Sequence, residues 1–377
     1  MADFERRDIL KTLGGAGTLA MTGLAGCSGG GGNETTTQSG GSESGDSEDA
    51  ETTSSDPTNV GMVYALGGLG DKSFNDMAHR GVQEAEDEYG VSYQNMEPGS
   101  QSEISTLQRK LASSQSPSYE LVTTVGYVQA DALKTNAEQF PDQQFQIIDS
   151  VVDMDNVSSY TFKEHQGSFQ VGYLAGLLST QDFSAGTGST KPDEKVVGFV
   201  GGKEVPLIQK FEAGYRAGVK HADDSIEVRA AYAGAYNDPA TGKEIALSMF
   251  DEGADMVYHA AGGTGIGVFK AAQERGRFAF GVDSDQSKSA SEYADVILAS
   301  MVKRVNNAVF ECVGNVVNDE FDGGSVHSLG LAEDGVACVY GAELGGDIPQ
   351  SAKDKLATSK EQIASGEIEV PQKPENV

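Results

Sequence analysis

Six side chains in this sequence are the strongest candidates for ligand chemistry: Phe74, Tyr236, Asp149, Asp283, Asn75 and Lys303. Aromatic faces suit a flat ring. A carboxylate accepts hydrogen bonds from sugar hydroxyls or from a base N–H, and a nearby lysine holds it ionised. A phosphorylated ligand would be repelled by the carboxylates and would need arginine clamps. Together these residues indicate a neutral, ring-bearing, polyhydroxy solute.

A glycine-rich loop at 67–76 stands between an apolar run, Val60–Ala65, and a segment with helical spacing, Met77–Tyr89. The first run predicts a buried strand and the second a helix. In an open α/β sheet such a loop receives ligands, because the helix N-terminus offers unpaired N–H groups. The loop supplies Asp71, Ser73, Phe74 and Asn75 as ligand-binding candidates. The alternative is a helix cap made by Ser73 or Asn75.

Strand-like and helical runs alternate from residue 60 to residue 299, which predicts parallel sheets built from βα units. Several predicted strands end in polar or glycine residues, among them Asp149, Gly201-Gly202, Gly262-Gly263 and Asp283. The carboxyl ends of parallel strands form the ligand crevice. We therefore predict an α/β protein with two doubly wound lobes around a cleft. The N-lobe comprises about 59–165 plus 285–320, and the C-lobe comprises about 166–284 plus the C-terminal segment.

The first 58 residues are expected to address and tether the protein. Arg6-Arg7 resembles the start of a twin-arginine export signal, and Leu24-Ala25-Gly26-Cys27 resembles a lipobox, so Cys27 is the predicted lipidation site. A transmembrane anchor is the weaker alternative because the apolar part is too short to span a bilayer. Residues 28–58 are an acidic Gly/Ser/Thr linker that we expect to be disordered. The predicted location is the outer face of the cell membrane.

The formal net charge is −30, of which −23 belongs to residues 59–377. Nucleic acid is excluded as a partner, since phosphate binding needs a basic face. An acidic surface suits high salt, where counterions screen the self-repulsion. From the composition we infer a halophilic, archaeal source, with an ordinary acidic exported protein as the alternative.

Cysteine and histidine usage gives no sign of a metal site, and we predict no cofactor. The five histidines are scattered, and neither HExxH nor CxxC occurs. Cys312 and Cys338 are the cysteines of the exported domain. A disulfide between them and two free thiols are equally compatible with the sequence.

No catalytic motif stands out, so an enzyme is the less favoured interpretation. Gly-Gly-Thr-Gly at 262–265 lacks the Lys-Ser/Thr of a P-loop, and 263–268 is a poor dinucleotide fingerprint. Asp283 and Asp285 are considered as paired carboxylates, but no nucleophile stands out beside them. A tethered protein with two α/β lobes instead fits a solute receptor that closes by hinge motion.

Each candidate also has a structural interpretation. Phe74 is then a core aromatic, Asp149 and Asp283 cap turns, and Lys303 is a solvated helix lysine. Phe211 competes with Tyr236 as the second aromatic face, although its helical spacing with Tyr215 favours core packing.

Five spaced motifs between residues 59 and 317 resemble the basic membrane protein (PnrA-like) family of nucleoside-binding ABC transporter lipoproteins. They are Asp71-Lys72-Ser73-Phe74-Asn75, Ile147-Ile148-Asp149, Gly198-Phe199-Val200-Gly201-Gly202, Ala261-Gly262-Gly263-Thr264-Gly265 and Gly281-Val282-Asp283-Ser284-Asp285-Gln286. The resemblance implies a type I periplasmic-binding fold and a purine nucleoside ligand. It also implies ABC permease and ATPase subunits as partners.

The resemblance assigns a role to most candidate residues. Phe74 and, with less support, Tyr236 would stack on the base, while Asn75 and Asp149 would contact it. Gly262 and Gly263 would let the backbone approach the ribose. Asp283 would accept from the ribose hydroxyls, and Lys303 would bond the sugar and orient Asp283.

Two departures from the family pattern affect base selectivity. Ala65-Leu66 stands where relatives often carry a polar pair, and Tyr236 stands in place of a family phenylalanine, adding a hydroxyl. Two alternatives remain open: a binder of another small solute, such as a sugar or autoinducer-like ligand, and a ligand-sensing receptor on the same fold.

Overall fold

The computed structural model describes residues 57–377, so the export signal, Cys27 and nearly all of the linker lie outside the described residues. Within this range the chain forms fourteen strands and ten α-helices. In chain order they are β1 (Asn59–Val63), α1 (Phe74–Tyr89), β2 (Ser92–Met96), α2 (Gln101–Ala112), β3 (Leu121–Val125), α3 (Ala130–Gln139), β4 (Gln144–Ile148), β5 (Val157–Phe162), α4 (Glu164–Ser179), β6 (Ser184–Ala185), β7 (Gly188–Ser189), β8 (Val196–Gly201), α5 (Pro206–Ala222), β9 (Glu227–Tyr232), α6 (Pro239–Asp251), β10 (Ala254–Ala260), α7 (Gly265–Arg275), β11 (Phe278–Asp283), α8 (Gln286–Ser289), β12 (Ile297–Lys303), α9 (Val305–Val317), β13 (Val326–Leu329), β14 (Val336–Tyr340) and α10 (Gln350–Ala364).

Two six-stranded sheets carry the fold. The first has the order β13-β5-β4-β3-β1-β2, and the second has the order β14-β12-β11-β10-β8-β9. Every strand pair in them is parallel except β12 with β14, which is antiparallel. Strands β3, β8, β10, β11 and β12 are buried along their whole length, as expected for parallel strands covered by helices on both faces. The predicted fold class is confirmed.

The boundary between the lobes differs from the prediction, which returned residues 285–320 to the first lobe. Strand β12 instead pairs in parallel with β11 of the second sheet. Helix α9 then packs on α1 beside the first sheet, so closely that a Cβ at Gly81 would lie 2.4 Å from the Asn306 carbonyl oxygen. The chain therefore crosses between sheets at Arg304. Further crossings follow β5 and β13, two strands that the sequence analysis did not identify.

Helix α4 follows the first of these crossings and lies almost completely buried, because fifteen of its sixteen residues are shielded from solvent. It packs against α5 through glycines on both helices. A Cβ at Gly172 would lie 2.1 Å from the Tyr215 carbonyl oxygen, and a Cβ at Gly218 would lie 2.1 Å from the Phe169 carbonyl oxygen. The two helix backbones can therefore approach this closely because glycine has no side chain at these positions.

Among residues 57–377, no helix has both the length and the apolar character that crossing a bilayer requires.

Both Cys312 and Cys338 are free thiols, with Cys312 buried in α9 and Cys338 partly buried in β14.

We predict that Gly172→Ala destabilises the protein by about 1–3 kcal/mol, the usual range for overpacking a filled interior. The added methyl group meets a backbone carbonyl, which cannot move aside as a flexible side chain would. Chemical denaturation measures the change. Gly346→Ala is the control, since a Cβ there has nothing within 4 Å. Equal stability of the two variants would contradict the packing described for α4 and α5.

Candidate ligand site between the two sheets

A cavity of about 920 Å³, measured to its open mouth, lies where strands of both sheets end. Val125 and Asp149 reach it from the first sheet, and Ala260, Asp283 and Lys303 reach it from the second. The carboxyl ends of two parallel sheets therefore share one pocket, in agreement with the expected crevice.

The glycine-rich loop after β1 is ordered by Asp71. Its carboxylate accepts hydrogen bonds from the backbone N–H groups of Ser73 (2.9 Å), Asn75 (2.9 Å) and Asp76 (3.2 Å). Asp71 thus satisfies the first N–H groups of α1. The alternative cap by Ser73 or Asn75 is wrong, because neither of their side chains bonds to an N–H group of this helix.

The Asn75 amide is fully engaged by the loop that precedes it. Its Oδ1 accepts from the Ala65 N–H at 2.9 Å, and its Nδ2 donates to the Gly68 carbonyl at 2.9 Å. Asn75 lines the cavity, but these bonds leave its amide little capacity for a base. The geometry therefore favours a positioning role over the base contact that the resemblance implies.

Lys303 ends β12 and is buried at the centre of the site, where its ammonium lies 2.5 Å from Asp149 Oδ2 and 3.4 Å from Glu164 Oε1. The same ammonium lies over the rings of Phe74 (4.8 Å) and Phe162 (5.1 Å). Its exposed fraction is only 1%. The interpretation of Lys303 as a solvated helix lysine is therefore wrong.

The site keeps this ammonium charged. Burial alone would lower the pKa of Lys303, but Asp149, Glu164 and Asp283 outweigh burial and raise that pKa above its usual range. Burial raises the pKa of Asp283, and the Lys303 charge and a hydrogen bond from Ser73 Oγ to Asp283 Oδ2 (2.5 Å) oppose the rise. Burial likewise raises the pKa of Glu164. One cation thus faces three carboxyl groups.

Asp149 and Asp283 occupy equivalent places at the ends of β4 and β11. Both adopt left-handed backbone conformations, with φ of 68° and 63°. Non-glycine residues are uncommon there, and such strain persists only where the surroundings enforce it. Asp149 Oδ1 is buried and has no hydrogen-bond partner among residues 57–377. That oxygen is available to a ligand, and neither aspartate merely caps a turn.

Aromatic side chains reach the cavity from both sheets. Phe74 begins α1, while Tyr236 lies in the connection from β9 to α6, and both line the cavity. Gly202 makes room for Tyr236, because a Cβ there would lie 2.3 Å from Tyr236 Cδ1. Phe211 of α5 also lines the cavity, with an exposed fraction of 3%. Tyr236 and Phe211 therefore both remain candidates for the second aromatic face.

Eight of the ten predicted ligand-binding residues line this cavity: Asp71, Phe74, Asn75, Asp149, Tyr236, Gly262, Asp283 and Lys303. Ser73 and Gly263 do not. Ser73 is buried behind the wall, where it holds Asp283. Gly263 is buried in the turn before α7.

The sequence analysis did not identify several polar residues of the site. Lys203 lines the cavity, and its ammonium lies 5.9 Å from the centre of the Tyr236 ring. Lys203 stands directly after Gly201-Gly202 at a strand end, and this position could have identified it from the sequence as a cavity residue. Glu164, by contrast, begins α4, and an acidic residue at a helix start is ordinarily a surface residue facing the helix dipole. Nothing in the local sequence reveals its burial.

The glycine-rich loop is also bonded to the second sheet's loop at 284–289. The Lys72 carbonyl accepts hydrogen bonds from Ser284 Oγ (2.8 Å), Gln286 Nε2 (3.1 Å) and Ser289 Oγ (3.1 Å). Together with the Ser73–Asp283 bond, these contacts hold the two sides of the cavity together.

Known proteins match this chain over nearly all of the described part. A family model described as "ABC transporter substrate-binding protein PnrA-like" matches residues 58–374. The chain is 32% identical to the ABC transporter nucleoside-binding protein BmpA of Lactococcus lactis subsp. cremoris, over 83% of this chain and 88% of that one. It is 32% identical to an uncharacterized lipoprotein of Pyrococcus abyssi, over 74% of this chain and 68% of that one.

A solved structure supports the same assignment. The fold is similar to that of an ABC transporter system solute-binding protein from Aeropyrum pernix K1, with a TM-score of 0.73 and 27% identity. The match covers 84% of this chain and 94% of that one. The resemblance to the basic membrane proteins is thereby confirmed, and the chain belongs to the family of PnrA-like ABC transporter substrate-binding proteins.

Proposed function

We propose that this protein binds a purine nucleoside and delivers it to the permease and ATPase subunits of an ABC importer. In this proposal the base lies between Phe74 and Tyr236, and the ribose lies against Asp283 and Lys303. The observation that carries it is the joint presence of these four side chains around one cavity. A flat apolar face and a group of charged hydrogen-bonding atoms match the two halves of a nucleoside.

The charges of the site favour a nucleoside over a nucleotide. Asp149, Asp283 and Glu164 surround the buried ammonium of Lys303, and the partly exposed Lys210 also contacts Glu164, at 3.5 Å. A phosphate would bring two further negative charges into this setting, where no arginine lines the cavity within the described residues. Neutral hydroxyl groups donate to the same carboxylates without that repulsion.

Asp283 is suited to the ribose because its geometry is fixed. Ser73 and the neighbouring Lys303 charge hold the carboxylate, and its left-handed backbone directs it from the end of β11. Lys303 in turn is fixed by Asp149. A preorganised acceptor loses little conformational entropy when a sugar binds.

The first test is isothermal titration calorimetry with the purified protein in high salt. We expect adenosine, guanosine or inosine to bind with micromolar or tighter affinity. Asp283→Ala should weaken the best nucleoside about 10- to 100-fold, since hydrogen bonds to charged groups contribute about 1.5–3 kcal/mol. The corresponding free base should lose far less, because it lacks the sugar.

Asp285→Ala is the matched control. Asp285 lies two residues further along, pairs with Lys288 and does not line the cavity. The affinity of the Asp285→Ala variant for the nucleoside should therefore equal that of the wild type. Asp283→Asn serves as the gentler variant if the alanine variant unfolds. No heat with any of the three nucleosides would refute the proposed ligand, and equal loss for nucleoside and base would refute the role of Asp283.

We also propose that lipid on Cys27 anchors the protein to the outer face of the membrane. The lipobox at 24–27 and the likeness to a named lipoprotein support this.

Cell fractionation tests the anchor. Cys27→Ser should move the protein from the membrane fraction to the medium or the soluble fraction, because no thiol remains at the lipobox to carry lipid. Cys338→Ser should stay with the membrane, since that cysteine lies in β14 of the folded domain. A Cys27→Ser protein that remains membrane-bound would contradict lipid anchoring at this residue.

A further inference from the structure

Glu164 is a buried acidic residue that does not line the cavity, and the family resemblance gives it no role. It is the first residue of α4, and its exposed fraction is 0%. Acidic side chains are almost never fully buried unless they are paired. Glu164 Oε1 lies 3.4 Å from the Lys303 ammonium, and Glu164 Oε2 accepts a hydrogen bond from Lys210 Nζ at 3.5 Å. The Glu164 carboxyl group therefore lies between two ammonium groups, of which Lys303 lines the cavity.

The Lys303 ammonium has three N–H donors on a flexible four-carbon stem. Asp149 Oδ2 accepts from it at 2.5 Å, and Glu164 is its other ionic contact within residues 57–377. Around these contacts lie the rings of Phe74 (4.8 Å), Phe162 (5.1 Å) and Phe211 (5.7 Å). Two carboxyl groups thus restrict the direction of the ammonium, and one donor is left for a ligand in the cavity.

The two carboxyl groups hold Lys303 from different parts of the fold. Asp149 follows β4 of the first sheet, so its contact with Lys303 joins the two sheets. Glu164 instead begins α4 where the chain leaves the first sheet, and Lys303 ends β12 just before the crossing at Arg304. In a hinged receptor such crossings absorb the movement of the lobes. The contact between Glu164 and Lys303 therefore does not require a closed cleft.

We propose that Glu164 is a positioning residue, which holds the Lys303 ammonium in the direction from which it donates to the ligand. This inference rests on the proposed function, in which Lys303 contacts the ribose. Glu164 acts through Lys303 and makes no contact with the ligand itself. It prepares the site from the hinge side, while Asp149 and Asp283 contact Lys303 and the ligand from the cavity side.

The carboxyl group is needed because it accepts with both oxygens. Burial raises the pKa of Glu164; Lys303 and Lys210 oppose that rise, and Asp149 adds to it. A glutamine has the same shape, but its amide nitrogen is a donor and cannot face an ammonium favourably. Glu164→Gln therefore disrupts the contact with one of the two lysines without leaving a void.

Calorimetry with inosine in high salt measures the effect on the ligand. Glu164→Gln should weaken inosine about five- to twentyfold, the range of one hydrogen bond to a charged group. Glu333→Gln is the matched control, because Glu333 pairs with the neighbouring Lys163 at 3.1 Å but is exposed and does not line the cavity. Exposed ion pairs contribute little, so its affinity for inosine should stay within about twofold of the wild type.

Nuclear magnetic resonance of the ligand-free protein shows whether Glu164 acts through Lys303. A buried ammonium held by two carboxyl groups exchanges its protons slowly, so ¹⁵N-lysine labelling should give a resolved ¹H–¹⁵N signal, assigned by its loss in Lys303→Met. Glu164→Gln should shift or broaden this signal, and Glu333→Gln should leave it unchanged. If Glu164→Gln does not fold, Glu164→Asp, which keeps the charge on a shorter stem, should show both effects at smaller size.

The possible outcomes separate this inference from the proposed function. Three results overturn the positioning role: an inosine affinity unchanged by Glu164→Gln, an equal loss in Glu333→Gln, or a loss of affinity with an unchanged Lys303 signal. The last result would mean that Glu164 acts through the fold alone. A wild type without a resolved Lys303 signal also overturns it, because the ammonium is then not held. A wild type that binds no nucleoside refutes the proposed function, while the Lys303 signal still tests whether Glu164 holds the ammonium.

Discussion

The buried ion pair between Lys303 and Asp149 is the interaction on which the site depends. Lys303 ends a strand of the second sheet, and Asp149 follows a strand of the first, so the 2.5 Å contact joins the two sheets. Burying two charges is costly unless their geometry is good and their remaining atoms are satisfied. Here Glu164 and three aromatic rings surround the ammonium. One carboxylate oxygen, Asp149 Oδ1, is left to a ligand.

The architecture brings these groups together because parallel strands deliver their carboxyl ends to one edge. Asp149 and Asp283 take equivalent places in the two sheets and share the same strained backbone conformation. The glycine-rich loop between β1 and α1 completes the wall, ordered by Asp71 and bonded through the Lys72 carbonyl to the opposite side. A cavity held from both sides in this way suits a receptor whose lobes close over a small solute.

Much of this arrangement was predictable from the sequence. Apolar runs that end in Asp149, Gly262 or Asp283 gave both the strands and the position of the crevice, because strand period and strand-end polarity are local signals. The lobe boundary was not predictable in the same way. Residues 297–303 are apolar enough for either sheet, and only tertiary pairing with β11 assigns them to the second.

The hydrogen-bond partners of the site residues were the least predictable feature. Asn75 looks like a base contact in the sequence, yet its amide bonds to the Ala65 and Gly68 backbone. Glu164 looks like a surface residue at a helix start, yet it is fully buried beside Lys303. Such pairings join residues far apart in the chain, so neither composition nor spacing reveals them.

The most direct test of the account is a crystal structure of the protein with inosine bound. We expect the base between Phe74 and Tyr236, with its polar edge at Asp149, and the ribose hydroxyls on Asp283 and Lys303. Inosine outside this cavity, or with its ribose at Asp149 and its base against Asp283, would contradict the central claim that one buried ammonium organises the two halves of a nucleoside site.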